Sequence, residues 1–310
     1  MTFLKLIRVK NLLMVLLIMI LTKYALIEGS LREAYLSDIE FIIFAVSVLL
    51  ITAGGYIIND IYDVKVDQIN KPDKTYIGNS ISIKNAWLFY ITFSIVGLGL
   101  GIFLSIDKGL SRYAFLFLFG FFCLFFYSKY LQKTPFLGNL VIAFICGALI
   151  YLLYLFDFRL TSVDRFVETT QETHDIDYIT FGPLIIDFYI IFSFLGTLIR
   201  EIVKDIEDVD GDYNAGYKTL PIVLGKKRAR NLAIALSCVF ALILIFYCLT
   251  TYAIRFYYLF AGLLVVTLAT VIFLYRLWFA STKKHFHDVS TIMKTIMLLG
   301  ILSMLLYKSL

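Results

Sequence analysis

The sequence predicts an all-α polytopic membrane protein, and three observations carry that prediction. Of 310 residues, 60% are hydrophobic and only 16% charged, with a mean hydropathy of +0.86; an ordinary globular domain is about a quarter charged. The apolar residues gather into nine runs near the roughly 20 residues that a helix needs to cross a hydrocarbon core about 30 Å thick. Only four prolines interrupt the chain, so the runs can stay helical along their length. The expected architecture is nine transmembrane helices around a central cavity, built as two four-helix units plus one helix. It forms a single domain over residues 1–310.

The first run, near 11–28, follows Lys5, Arg8 and Lys10 and lacks a small-residue cleavage site, so it reads as the first span. The second, near 39–58, runs into Asn59–Asp67 and then Lys65, Lys71, Lys74 and Lys84. The third and fourth lie near 85–106 and 112–127, and Lys129 and Lys133 follow them. The fifth lies near 137–156, ahead of an acidic loop at 157–180. The sixth, near 180–200, carries Pro183 and Asp187 and precedes Arg200, Lys204, Lys218, Lys226, Lys227, Arg228 and Arg230. The last three lie near 230–250, 255–277 and 291–308, with Arg276, Lys283 and Lys284 after the eighth. Basic residues thus crowd the N-terminus and every second loop. The positive-inside rule then puts the N-terminus in the cytoplasm and the C-terminus outside. In a bacterium the membrane would be the inner one.

That topology puts both acidic stretches, NDIYDVKVD (Asn59–Asp67) and KDIEDVDGD (Lys204–Asp212), on the cytoplasmic side. Carboxylates beside a bilayer are costly and mark function. Asn59, Asp63 and Asp67 recur at i, i+4 and i+8, one face of a helix, with Asp60 beside it. Asp208 and Asp212 repeat the spacing, with Asp205 one turn earlier. Like charges so spaced repel unless a cation lies between them. Oxygen-only donors suit Mg²⁺, which bridges carboxylates to substrate phosphates. No His or Cys lies near, which argues against zinc. Lysines and arginines among the acids suit a diphosphate, and the apolar helices suit a greasy tail on it. A lipid diphosphate at the cytoplasmic interface follows; no nucleic-acid partner is expected.

At these residues the chain resembles the UbiA-type intramembrane prenyltransferases. Asn59, Asp60, Asp63 and Asp67 match the family's first motif; Asp208, Asp212, Gly216 and Thr219 match its second. INKPDKTYIGNSIS and YSKYLQKTPFLGN resemble the family's segments after the second and fourth helices, and Arg8 and Asn11 fit its R-x-x-N. REIVKDIEDVDGDYNAGYKTLPIVLG looks most like the branch that adds geranylgeranyl to a glycerol-phosphate ether. The resemblance implies Mg²⁺ held by Asn59, Asp60, Asp63, Asp67, Asp208 and Asp212. It implies catalysis by Asp63, Asp67, Asp205, Asp208 and Asp212, with either Asp205 or Asp208 taking the acceptor's proton. Arg8, Asn11, Asn59, Lys71, Lys74, Tyr127, Lys133, Arg200, Lys204 and Lys218 would bind substrate. Donor chain length and acceptor stay open: geranylgeranylglyceryl phosphate, a hydroxybenzoate-type or quinone-precursor ring, or another alcohol. So does the oligomeric state.

Two other classes compete. CDP-alcohol phosphotransferases carry D-G-x-x-A-R ahead of D-x-x-x-D, and no such run precedes Asp60. Transporters place paired carboxylates at mid-membrane in broken helices, whereas these lie at span ends among lysines. Cys123, Cys146, Cys238 and Cys248 sit in apolar runs without metal spacing and read as helix packing residues. His285 and His287 read as surface residues, and Gly54-Gly55 as a close helix contact.

Overall fold

The computed structural model describes residues 2–28, 35–70, 75–157 and 176–308. Its helices are α1 (Thr2–Leu6), α2 (Val9–Leu21), α3 (Asp38–Asn70), α4 (Ile83–Asp107), α5 (Ala114–Lys129), α6 (Leu137–Asp157), α7 (Ile176–Asn214), α8 (Leu220–Leu224), α9 (Lys226–Ala253), α10 (Tyr257–Trp278), α11 (Lys283–Ser303) and α12 (Leu305–Lys308). A π-helical segment, Thr22–Ile27, continues α2. Among the described residues eight helical stretches are long and apolar enough to cross a membrane. The sixth expected span, 180–200, falls within the 39-residue α7. The protein is an all-α integral membrane protein.

The chain forms two compact units, each assembled from separate stretches of sequence. One holds Met1–Leu16, Asp38–Ile145 and Glu201–Arg230; the other holds Leu17–Ser37, Cys146–Arg200 and Asn231–Leu310. The physical reason is helix length: α2, α6, α7 and α9 each contribute residues to both units, and only the boundary at Ser37–Asp38 falls between helices.

In the first unit, α3 and α4 pack at close range. Ser47 Oγ donates to Gly97 O at 2.7 Å. A Cβ at Gly101 would lie 2.7 Å from the Phe117 ring and 2.8 Å from Ser47 Oγ, so only glycine lets these backbones approach. Toward the acidic end of α3, Leu6, Ile7, Ala53, Ile57, Ile58, Ile77, Ala86 and Tyr90 form a buried cluster. It ties α1 to the turn of α3 that precedes Asn59. Ser82 caps α4 by accepting from the Asn85 N–H at 3.2 Å.

In the second unit a charged knot sits at the end of the first span. The Lys23 side chain is 1% exposed, and its Nζ donates to Leu36 O at 2.6 Å and pairs with Asp157 Oδ2 at 3.3 Å. The Leu36 N–H donates to Asp157 Oδ1 at 2.7 Å. A buried ammonium is tolerable only with such partners. Elsewhere in this unit the Tyr189 hydroxyl meets Ser303 Oγ at 2.8 Å, joining α7 to α11.

Candidate active site

Both acidic motifs lie on helices rather than in loops. The 33 residues of α3 span about 50 Å at 1.5 Å per residue, about 20 Å more than the hydrocarbon core needs. Its last turns therefore carry Asn59, Asp63 and Asp67 on one face beyond the apolar stretch. α7 does the same for Lys204, Asp205, Asp208 and Asp212. The first unit contains both ends.

Arg8 reaches the first motif because the backbone breaks there. It has a positive φ of 51°, a conformation that costs a non-glycine residue roughly 1–2 kcal/mol. The kink separates α1 from α2, and the Asn11 N–H caps it on Arg8 O at 2.7 Å. Arg8 Nη2 then donates to Asp60 Oδ1 at 2.7 Å, and its guanidinium lies 5.1 Å from the Tyr56 ring centroid. Asp60 also lies within coulombic range of Asp67 and of Lys204 from the second motif.

Three side-chain donors converge on the Asp63 carboxylate. Asn59 Nδ2 donates to its Oδ2. Gln132 Nε2 donates to its Oδ1 at 2.8 Å, as does the Tyr217 hydroxyl at 2.9 Å. Gln132 sits in the 3₁₀ turn Leu131–Lys133 after α5. Tyr217 is aimed back by the end of α7: Gly216 takes a φ of +73°, and the Tyr217 N–H bonds Asp212 O at 2.9 Å, a glycine-terminated helix stop. The two turns are joined directly. The Lys218 N–H donates to Lys133 O at 3.0 Å, and Lys133 Nζ lies 5.3 Å from the Tyr217 ring centroid.

Asp205 faces Asn139, whose Nδ2 donates to Asp205 Oδ2 at 2.8 Å. Burial pushes its carboxyl up to about 7, with Glu201 and Asp212 adding to the rise and Asn139 and Lys204 opposing it. Burial also raises the Tyr217 hydroxyl, helped by its neighbours Asp63, Asp212 and Asp67, so it remains a proton donor to Asp63. Tyr127 on α5 lies in coulombic range of Glu201, Asp205, Asp63 and Arg8.

The structure thus gathers Arg8, Asn59, Asp60, Asp63, Asp67, Tyr127, Lys133, Lys204, Asp205 and Asp212 into one constellation. Asp208 stands on α7 one turn from Asp205 and Asp212; Lys218 follows Tyr217. Arg200 belongs to the second unit, and Lys71 and Lys74 lie outside the described residues. Asp210 of the second acidic stretch turns outward, 77% exposed and paired with Lys226 at 3.3 Å. A groove of about 360 Å³ beside it, lined by Val209, Asp210, Tyr213, Asn214 and Ile222, contains none of the expected site residues. Gln132, Tyr217, Glu201 and Asn139 were not among the expected site residues. No spacing rule marks a lone polar residue in a turn as the partner of a carboxylate 69 or 154 residues away.

Among the described residues no three His, Cys, Asp or Glu side chains form a ready-made metal cage. Mg²⁺ keeps waters and is held by one or two carboxylates plus substrate phosphates. The donor set is all oxygen. Arg8, Lys133 and Lys204 stand among the carboxylates as they would beside an anion.

The sequence matches the UbiA prenyltransferase family over residues 13–299. It is 30% identical over 269 residues to a digeranylgeranylglyceryl phosphate synthase of Methanosphaera stadtmanae, covering 85% of this chain and 86% of that one. The same enzyme of Methanobrevibacter smithii is 30% identical over 276 residues, 86% of each chain. Among solved structures, one of digeranylgeranylglyceryl phosphate synthase in membranes superposes with a TM-score of 0.67 at 23% identity, covering 99% of this chain and 97% of that one. An Archaeoglobus fulgidus UbiA homologue bound to GPP and Mg²⁺ superposes with a TM-score of 0.57 at 17% identity, covering 98% and 99%. With its paired aspartate helices and a family match along nearly its whole length, the chain belongs to the UbiA prenyltransferase family.

Proposed function

We propose that the protein transfers a geranylgeranyl group from geranylgeranyl diphosphate to the free hydroxyl of geranylgeranylglyceryl phosphate, giving digeranylgeranylglyceryl phosphate and diphosphate. The observation that carries the reading is the meeting of the two motifs: Tyr217, just past the second, donates to Asp63 of the first, and Lys204 stands near Asp60. A long allylic diphosphate needs this kind of charged rim on an apolar bundle. The named activity of relatives that align along most of the chain favours the glycerol-ether acceptor.

In this reading Asn59, Asp63 and Asp67, with Asp208 and Asp212, would hold Mg²⁺, which would supply positive charge to neutralise the departing diphosphate. Asp60 anchors Arg8, so the guanidinium is fixed for a phosphate oxygen. Lys133 and Lys204 add positive charge where the leaving group gains negative charge. The allylic C1–O bond breaks, and the acceptor oxygen forms a new bond to C1. Asp205 accepts the hydroxyl proton, a role suited to a carboxyl whose pKa is about 7. Tyr127 and neighbouring rings shield the allylic cation from water and tolerate its charge. The distribution of basic loops supports a cytoplasmic N-terminus and a site on the cytoplasmic face.

The test is a transfer assay with purified protein, Mg²⁺ and labelled geranylgeranyl diphosphate, offering geranylgeranylglyceryl phosphate and a hydroxybenzoate in separate arms. Labelled diether phosphate formed only with metal is the expected result. Product only in the hydroxybenzoate arm would replace the acceptor. Diphosphate left intact in both arms would overturn the reading.

A further inference from the structure

Asp63 is enclosed by a closed ring of side-chain hydrogen bonds that the two motifs alone do not account for. Asn59 Nδ2 donates to Asp63 Oδ2 and to Gln132 Oε1, the latter at 3.2 Å. Gln132 Nε2 donates to Asp63 Oδ1 and to Ser128 O, both at 2.8 Å. Both N–H donors of each amide are therefore used, and the network fixes which way each amide points. Tyr217 adds a second donor to Oδ1. A carboxylate has about four lone-pair sites. Here Oδ1 has both taken, by Gln132 and Tyr217, while Oδ2 has one taken, by Asn59. Among the described residues one site on Oδ2 is left, and so is the Asn59 side-chain carbonyl oxygen.

The donors come from three separate places in the first unit: α3 itself, the turn after α5, and the turn after α7. Those two turns are clasped to each other by the Lys218 N–H to Lys133 O bond and by the Lys133 ammonium over the Tyr217 ring. Moving either turn would drag on the same carboxylate oxygen.

We infer that Gln132 and Tyr217 are positioning residues: by saturating Oδ1 they lock the Asp63 carboxylate so that it presents a single lone pair of Oδ2, together with the Asn59 carbonyl, to a divalent cation. The clasp makes the second motif's turn a structural part of the first motif's cation site. The inference rests on the function proposed above for what that site does in turnover. Its geometry is independent of the acceptor. Partners that orient metal ligands commonly change metal affinity by about ten- to a hundredfold when removed.

The test is cation binding without substrate. Mn²⁺ is titrated into the purified protein and its free electron-spin signal followed, for the unaltered protein, Tyr217→Phe, Gln132→Met and a control, Tyr213→Phe. Tyr217→Phe keeps the ring beneath Lys133 and removes only the donor. Saturable binding is expected in the unaltered protein, weakened about tenfold in Tyr217→Phe and Gln132→Met and unchanged in Tyr213→Phe, whose ring is exposed. In the transfer assay the half-saturating Mg²⁺ should rise by a similar factor, while the KM for the prenyl diphosphate at saturating Mg²⁺ stays within about twofold. Unchanged Mn²⁺ affinity in both site variants, with or without a lowered unfolding temperature, overturns the inference. So does the absence of saturable binding in the unaltered protein. If the Mn²⁺ pattern holds and no acceptor is prenylated, the positioning role stands and the transferase reading falls.

Discussion

Asp63 and Asp208 give the most direct check on the carboxylate chemistry. Replacing either with alanine removes an oxygen donor from a half-buried helix end; the apolar packing of α3 or α7 is left in place, although Asp63→Ala also deprives Gln132 and Tyr217 of their acceptor. Turnover should fall at least about a hundredfold, with the unfolding temperature of the detergent-solubilised protein little changed; an active Asp63→Ala protein would remove the clamp. Asp205 makes a prediction with a sign. Burial holds its carboxyl up near 7, and a base works only when deprotonated, so the rate should fall as pH drops through about 7. Asn139 opposes the rise by donating to the charged form. Asn139→Ala should therefore move the acid limb to higher pH, by about one pH unit for the loss of a hydrogen bond to a charged group. A limb that stays put in the variant would take the proton from some other group. Lys23 is a different case. Its buried ammonium answers Asp157, 134 residues away, and Lys23→Met would strand that carboxylate. Removing one partner of a buried pair costs about 3–5 kcal/mol, whereas replacing both with apolar residues recovers part of it; recovery is incomplete here because Asp157→Leu also takes the acceptor from the Leu36 N–H. Thermal unfolding of Lys23→Met against the double variant Lys23→Met/Asp157→Leu should show that partial recovery.

The helices explain which parts of the site could be read from spacing. Asn59, Asp63 and Asp67 fall at four-residue steps, and any helix continuing past the apolar run must put them on one face. The same holds for Asp208 and Asp212. What spacing did not reveal was that α3 and α7 run on well past the membrane core, to Asn70 and Asn214. A span boundary drawn from hydropathy stops where the charge begins, although the backbone hydrogen bonding does not. Gln132 and Tyr217 were illegible for a related reason. Each sits in a short turn whose direction is set by a helix stop, Gly216 in one case, and their common target is a tertiary fact. The α3–α4 contact offers a paired test of helix packing. Gly97, Gly99 and Gly101 lie two residues apart along α4. A Cβ at Gly101 would meet Phe117 and Ser47 within 3 Å, while one at Gly99 meets nothing within 4 Å. Gly101→Val should destabilise by about 1–3 kcal/mol through overpacking, and Gly99→Ala should be tolerated. Equal unfolding temperatures for the two variants would mean that α3 and α4 do not pack this closely.

Composition alone carried the architecture: a chain this apolar and this poor in proline has few alternatives to a bundle of long helices. The two-unit organisation was not legible, because sequence repeats report ancestry along the chain and compactness reports where long helices pass. Orientation is a different kind of quantity, since helix packing is indifferent to which face meets the cytoplasm. It rests on lysine and arginine placement: the loop ahead of Lys283 and Lys284 is basic, and the loop at 108–113 carries Lys108 and Arg112 beside an apolar turn. Lys108 pairs with Glu40 at 3.0 Å. The N-terminus-in arrangement proposed above is the one in which both aspartate helix ends would face the cytoplasm, where soluble diphosphate can leave. Single cysteines report it directly. Ser111 and Ser281 are both exposed, after α4 and after α10. In a protein whose four native cysteines are replaced, a membrane-impermeant thiol reagent should label Ser111→Cys in intact cells. Ser281→Cys should react only after the membrane is opened. The reverse pattern would put the carboxylates on the outer face and remove the physical ground for a cytoplasmic diphosphate site.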